Sequence, residues 1–362
     1  MRTILICIPM LNNAGAQRFV TELALNLDKK NYKAVVVTTT KELPESEFHR
    51  QLVAGGIEVR DVSDSNYLKE IRNVIELLKE YRPDIVHSNV GSALHVLFPV
   101  LMWANKTTHI FTAHSMGYRI FKGAKKKLMQ FAFKTRKVVP VAICDTVKKS
   151  ICESYGLSDD KVPCVYNGVD TAKFKAKEEY CADGIVRFIS VGTLYALKNH
   201  SMLIEAFARV KKENDNVRLT IVGGGELHGT LNEQVRSFGL EDYVELVGDR
   251  PNVADYLSAS DVYVCPSKVE GLPITVLEAM SVGLPIVTTP AGGVVDIVKD
   301  GENGYIVPHS DVNAMAKKML LFVESKSRVI EMSKKSRAKA LEFDVMKCAK
   351  GYEKLYYRLK NV

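Results

Sequence analysis

Short runs rich in β-branched residues alternate with helical patterns from one end of the chain to the other. That alternation restricts the fold to parallel sheets joined by crossover helices. The runs fall into two sets. One comprises residues 3–9, 33–39, 57–62, 85–89, 109–114 and 138–144, and the other 186–192, 218–223, 244–248, 262–267, 285–289 and 304–307. The expected fold class is therefore α/β, with two Rossmann-like lobes facing across a cleft. A length of 362 residues, 46% of them hydrophobic, suits two domains with separate cores. We divide the chain into a lobe at 1–170, a polar, Lys/Glu-rich linker at 171–184 and a lobe at 185–345. The helical pattern from Asp311 onward ends in an apolar, aromatic stretch, so residues 346–362 are expected to cross back to the first lobe. Sheets of this class bind ligands at the carboxyl ends of their strands, which directs attention to the loops there.

Composition excludes several functions. Seven cysteines are scattered without a Cys-x-x-Cys pair, which argues against a disulfide framework or a zinc site and fits a reduced, cytoplasmic setting. Arg2 and the apolar run 4–11 resemble a secretion signal, but Pro9 and the helix behind it read better as a first strand and its loop. No window reaches the ~18 apolar residues of a spanning helix, and the nearest, 90–104, suits a buried helix. Charge is uneven: residues 1–180 carry 27 Lys+Arg against 19 Asp+Glu, and the remainder 23 against 23. In 119–137, Arg119, Lys122, Lys125, Lys126, Lys127, Lys134, Arg136 and Lys137 are interleaved with Phe121, Leu128, Met129, Phe131 and Phe133. This pattern fits an anionic membrane surface or a plain solvated helix face equally well. Nucleic acid is not an expected partner, because no nucleic-acid module is present.

The segment EGLPITVLE carries the strongest chemical signal. Glu270 sits in a loop and Glu278 about five residues into the helix behind it, which should start at Leu272 or Pro273. Pro273 suits the first helical position, and Gly271 lets backbone approach a ligand. The free N–H groups and dipole at such a start, including that of Ile274, bind phosphate, and the carboxylates should stand about 10 Å apart on either side of it. That geometry suits a nucleotide sugar, with Glu270 taking sugar hydroxyls and Glu278 a ribose. Gly192-Thr193-Leu194 follows a strand, and Lys198 precedes a helix, placed to neutralise a diphosphate. Gly223, Gly224 and Gly225 end another strand without the dinucleotide fingerprint, and Ala291-Gly292-Gly293 occupies a similar place. In the first lobe, the small-residue loop 12–16 with Gly15 lets a ligand sit close. His114, at a strand's carboxyl end, is a candidate, as are His87 and Asn89, whereas Cys144 and Asp145 read as structural.

These residues match a pattern. EGLPITVLEAMSVGLPIV resembles the Glu-x7-Glu signature of the retaining, family 4 glycosyltransferases, which have the two-lobed GT-B fold. VPCVYNGVD with Phe174, GTL before Lys198, IVGGGEL, residues 262–267 before Glu270, and AGG followed by Asp296 sit in that family's order. AGAQRFVTELALNL is similar to its first-lobe Gly-Gly-Ala-Glu-Arg loop and helix. The resemblance spans nearly the whole chain and is densest over 164–307. It implies an acceptor-binding first lobe and a second lobe for the nucleotide sugar. By the same token Glu278 binds the ribose, Glu270 contacts the donor sugar, and Lys198 with the N–H groups of Leu272 to Ile274 holds the diphosphate. His114 would lie near the transferred sugar. The resemblance further implies that the leaving phosphate takes the acceptor's proton, so no side-chain base, metal or cofactor is expected.

Two departures stand out. Thr193 replaces an arginine common in the family, and Ala14 and Gln17 replace Gly and Glu in the first loop. The expected reaction moves a hexose or N-acetylhexosamine, from a UDP-sugar ahead of a GDP-sugar, to a saccharide. That acceptor is expected to be lipid-linked, at the cytoplasmic membrane face, in bacterial surface polysaccharide assembly. A sugar-nucleotide epimerase of the same fold and a non-catalytic nucleotide-sugar or membrane-surface binding protein are the alternatives. A glycosidase needs carboxyls about 5 to 9.5 Å apart across one bond, which the helix geometry disfavours.

Overall fold

The computed structural model describes residues 1–12, 14–41, 46–103 and 107–360, so Asn13 of the expected 12–16 loop and the last two residues of the 346–362 segment lie outside the described residues. The first set of runs forms β1 (Arg2–Ile8), β2 (Tyr32–Thr38), β3 (Glu58–Asp61), β4 (Ile85–Asn89), β5 (Thr108–Ala113) and β6 (Val139–Ala142). The second forms β7 (Val186–Val191), β8 (Val217–Val222), β9 (Val244–Gly248), β10 (Val262–Cys265), β11 (Ile286–Thr288) and β12 (Gly304–Ile306). One six-stranded sheet has the order β3-β2-β1-β4-β5-β6 and the other β12-β11-β10-β7-β8-β9. All pairings are parallel. In both, the first strand of the set lies beside the fourth, the doubly wound order of a Rossmann-like lobe.

Burial on both faces explains why the central strands read as nearly unbroken apolar runs. On one face of the first sheet, Leu5, Cys7, Val35, Val37 and Val86 pack with Val74, Leu77 and Leu78 of the helix Tyr67–Tyr81 and with Val96 and Val100 of the helix Ser92–Met102. The latter helix, expected to be buried, is buried on one side only: Phe98, Leu101 and Met102 are 45%, 44% and 69% exposed. No helix among the described residues is long and apolar enough to cross a membrane.

The chain divides into two compact units, one running from Met1 to Gly168 and resuming at Val345, the other Val169–Asp344. Residues 171–184, expected as a linker, are packed into the second unit. Phe174, Tyr180 and Cys181 are buried. The Ser281 hydroxyl donates to the Phe174 carbonyl at 2.7 Å, the Tyr180 hydroxyl to Gly283 at 3.0 Å, and the Cys181 amide to Asp261 at 2.9 Å. Polar composition hid this, because the packing rests on three residues, Phe174, Tyr180 and Cys181, while Ala172, Ala176 and Ala182 are exposed.

The helical pattern expected to run on from Asp311 is three helices: Val312–Val323, Lys326–Ala340 and Val345–Lys360. Ser325 restarts the helix by accepting the Arg328 N–H, the role of an N-cap. The last helix packs in the first unit. Tyr352 and Tyr356 are fully buried, Tyr356 reaching His87 at 2.7 Å and Tyr352 reaching Thr112 at 2.9 Å. Gly168 permits the approach, since a Cβ there would stand 2.6 Å from the Cα of Val345.

Candidate active site

In the second unit, polar and glycine residues gather at the carboxyl ends of β7, β8 and β10. After β7 the chain turns through Gly192, Thr193 and Leu194 to Lys198, and the helix His200–Glu213 follows. Asn199 takes a left-handed conformation, φ 57°, to make that entry. Lys198 Nζ donates to Glu270 Oε1 at 2.7 Å, joining residues 72 positions apart. The ion pair is half-sheltered, with side-chain exposures of 26% and 11%. Burial alone would lower the Lys198 pKa, but the Glu270 carboxylate beside it outweighs that and the net shift is upward. The ammonium has three donors, so the pair need not break for Lys198 to meet an anion.

Backbone contacts hold this loop in place. Gly293 donates its N–H to the Gly271 carbonyl at 2.7 Å. Gly292 has φ +57°, and a Cβ there would fall 2.0 Å from the Glu270 carbonyl oxygen. At the end of β8, Gly223 has φ +141°, and a Cβ would fall 2.1 Å from the Gly192 carbonyl oxygen. The glycine turn is thus required by packing of two strand ends. Gly224 donates its N–H to Asp249 at 2.8 Å, and its carbonyl accepts the Leu194 N–H at 2.8 Å.

The helix behind Glu270 spans Ile274–Val282, one or two residues later than expected. Pro273, expected as its first residue, is the N-cap, with φ −71° and ψ 118°. A proline's φ suits either place, and the extended ψ here puts it outside the helix. The N–H groups of Ile274 and Thr275 therefore precede the first helical acceptor, the Pro273 carbonyl, which Val276 reaches at 3.1 Å. Leu272 and Ile274 are buried, at 3% and 7% exposure, so they offer backbone rather than side chain. Glu278 is the fifth helical residue and is 1% exposed.

Sequence reasoning missed Tyr263 on β10. Its buried hydroxyl lies 3.1 Å from the Val191 carbonyl and 3.0 Å from Thr275 Oγ1. A carbonyl only accepts, so Tyr263 donates to Val191 and Thr275 donates to Tyr263. This relay ties the first turn of the Ile274–Val282 helix to the end of β7. A tyrosine inside a fully buried strand is a usable signal, because its hydroxyl must find a partner.

In the first unit, Gly15 is the first residue of the helix Gly15–Asn26, and a Cβ there would meet nothing within 4 Å among the described residues. His114 follows β5, and its Nε2 lies 2.9 Å from Asn89 Oδ1 at the end of β4. Burial lowers its pKa to about 3, so the ring is neutral at ordinary pH. His87 is fully buried, with Nδ1 2.7 Å from Tyr356 and Nε2 2.7 Å from Thr112. Both nitrogens are committed within the unit, which leaves none for a ligand. Cys144 is buried, and Asp145 accepts from the Tyr166 hydroxyl at 2.9 Å.

Comparison with known proteins agrees with this geometry. The model of the glycosyl transferases group 1 matches residues 175–340, and that of Glycosyltransferase Family 4 matches residues 13–173. The amylovoran biosynthesis glycosyltransferase AmsK of Erwinia amylovora is 29% identical over 51% of this chain and 47% of its own. The UDP-Gal:alpha-D-GlcNAc-diphosphoundecaprenol alpha-1,3-galactosyltransferase of Escherichia coli is 29% identical over 82% of this chain and 81% of its own. The chain spans about half the length of the first curated relatives it matches. The Anabaena protein HepE, crystallised with UDP and glucose, superposes with a TM-score of 0.85 at 18% identity, covering 98% of this chain and 99% of that one, a likeness of fold. Two Rossmann-like lobes with such a neighbour define the GT-B class of fold. Within that class, the chain belongs to the family 4 glycosyltransferases of glycosyl transferases group 1.

Proposed function

We propose that the protein transfers a hexose or N-acetylhexosamine from a nucleoside-diphosphate sugar, UDP ahead of GDP, to a saccharide hydroxyl with retention at the anomeric carbon. One observation carries this reading: the 2.7 Å pair between Lys198, after β7, and Glu270, in the loop that leads into the helix Ile274–Val282. Lys198 and the amides of Ile274 and Thr275 supply positive charge and donors for a diphosphate. As the bond to the sugar breaks, charge grows on the distal phosphate, and preorganised donors lower the barrier because they strengthen with that charge. Glu270 holds Lys198 and offers its second oxygen to a sugar hydroxyl, and Glu278 is the ribose acceptor. The leaving phosphate takes the proton of the attacking hydroxyl, and no metal is required.

The acceptor is proposed to be a lipid-linked saccharide at the cytoplasmic face of the membrane, used in surface polysaccharide assembly. The names of AmsK and of the Escherichia coli galactosyltransferase support this, as does the surface of the helix Gly123–Lys134. Lys122, the N-cap of that helix, and Lys125, Lys127, Phe131 (66%) and Lys134 are exposed, as is Tyr118 (53%) on the preceding short helix Gly117–Ile120. Such a face suits anionic lipid headgroups.

The decisive experiment is a screen of UDP- and GDP-sugars for thermal stabilisation and then for transfer, with the product's anomeric configuration read by NMR. Lys198→Ala is expected to lower transfer on the order of 10² to 10³-fold with the fold intact. Unchanged turnover removes Lys198 from the mechanism. Turnover of the donor without any acceptor favours the epimerase, and binding without turnover favours the non-catalytic reading. Replacing Lys122, Lys125 and Lys127 by serine should release the protein from anionic vesicles at low salt; equal binding rejects the membrane face.

A further inference from the structure

The side chain of Asn89 makes contacts on both ends. Its Nδ2 donates to the Cys7 carbonyl at 3.2 Å and to the His87 carbonyl at 3.3 Å, while Oδ1 faces His114 Nε2 at 2.9 Å. The reverse orientation would set Oδ1 against two carbonyl oxygens. The amide is therefore oriented by the strands, independently of His114. Its backbone is fixed as well: the Asn89 N–H donates to Ser92 Oγ at 3.0 Å, and that hydroxyl reaches the Cys7 carbonyl at 2.9 Å.

An amide oxygen only accepts, so the nitrogen facing it must carry hydrogen. A neutral imidazole has one N–H, so Nδ1 of His114 keeps its lone pair. The ring of Phe19 packs edge-on against His114 with centroids 4.9 Å apart, which fixes the ring plane. His87 provides the contrast. Its neighbours are the hydroxyls of Tyr356 and Thr112, which donate or accept, so neither tautomer is imposed. His87 is also the ionisable group beside His114, and it is neutral, because burial first and the neighbouring histidines second push its pKa well below the ordinary value.

We propose that Asn89 is a positioning residue that holds His114 as the Nε2–H tautomer and so makes Nδ1 the acceptor in the contact with the transferred sugar that the family resemblance implies for His114. The tautomer rests on unit geometry alone; the sugar contact rests on the function proposed above. A substrate hydroxyl must then donate to His114. Donor sugars lacking that hydroxyl, or carrying a methyl ether there, are discriminated against by the loss of one buried acceptor contact.

The test starts on the unaltered protein. Imidazole nitrogen NMR, with the signals assigned through His114→Gln, should show His114 protonated at Nε2 and bare at Nδ1 from pH 6 to 8. A proton on Nδ1 overturns the proposal. Asn89→Leu should mix the tautomers and lower kcat/KM on the order of 10 to 10²-fold. Asn89→Asp keeps an acceptor in place and should preserve the tautomer, while its charge raises the His114 pKa and brings a pH inflection into the rate. Asn89→Leu with mixed tautomers and unaltered turnover overturns the sugar contact. If Asn89→Leu does not fold, Asn89→Asp decides: no inflection and no change in the His114 shifts overturns the proposal. A chain inert toward every sugar nucleotide overturns the sugar contact together with the proposed function, whereas the NMR result on the tautomer stands or falls separately.

Discussion

The strand ends of the two units solve different problems with different chemistry. In the second unit they carry a charged pair, Lys198 and Glu270, glycines with positive φ at 223 and 292, and the first amides of a helix. In the first unit they carry a neutral histidine, His114, oriented by Asn89, and a second histidine, His87, whose nitrogens are spent on Tyr356 of the C-terminal helix and Thr112 of β5. A charged, glycine-lined edge suits a diphosphate, whose charge must be met by fixed donors and whose size demands close backbone. A neutral, oriented acceptor suits an uncharged hydroxyl. With the same strand order, the proposed function gives each unit its own kind of recognition, and the residues at the strand ends make the difference.

The largest effect should come from attacking the glycine edge. Gly223→Ala puts a Cβ against the Gly192 carbonyl at a positive φ, and we expect a loss of about 2–5 kcal/mol from the second unit and no measurable transfer. Chemical denaturation with a probe in each unit checks it; near-normal stability would mean that the turn relaxes and the edge is less rigid than described.

Acid should distinguish the units next. Burial lowers the pKa of His109 and His114 to about 3 and holds that of His87 well below its ordinary value, while in the second unit burial and then the Lys198 charge lower His200 to about 4. An unfolded histidine titrates near 6.5, so below that pH the unfolded state binds more protons and stability falls with falling pH; above it the contribution is complete. The first unit, with three such histidines, should lose hydrogen-exchange protection before the second between pH 6.5 and 4. Loss in the opposite order breaks the contrast.

A smaller effect tests the relay beneath the charged edge. Tyr263→Phe should cost about 1–2 kcal/mol in stability and lower kcat roughly 10-fold through a shifted helix tip, with Thr275→Val similar and the double variant no worse. Full additivity in kcat would argue that the two hydroxyls act independently. The smallest effect is expected at Gly15→Ala, within about 0.5 kcal/mol of the parent, because a Cβ there meets nothing within 4 Å among the described residues. A fall in transfer at unchanged stability would show that this glycine serves a ligand, and a fall in stability would show that it serves the fold.

Several parts of this arrangement were legible in the sequence. The runs of β-branched residues marked the central strands of both sheets most plainly, because strands buried on two faces have no polar phase to blur them, whereas the edge strand β3, with Glu58 and Asp61 exposed, was marked only by Ile57, Val59 and Val62. Glu270 and the helix tip were legible because the Gly271-Leu272-Pro273 entry to a helix is a local signal. The start of that helix was misplaced by one or two residues because a proline's φ fits the cap and the first turn alike. The 171–184 segment was misread because its few apolar residues are spaced for packing on other elements, and the break at Ser325 because an N-cap is a single residue within a long apolar period.

The order of β-runs and helices in the sequence, together with the glycine and proline positions, determined the two Rossmann-like lobes and the place of the Gly271–Pro273 turn, since both depend on backbone preferences a few residues in range. Which side chains meet was decided only by tertiary structure. Lys198 and Glu270 are 72 positions apart, Asn89 and His114 25, and Tyr356 and His87 269, and such contacts arise from strand order, to which neither partner's local sequence refers. The protonation and tautomer of a histidine belong to the same class, because they follow from burial and from the one neighbour that can only accept.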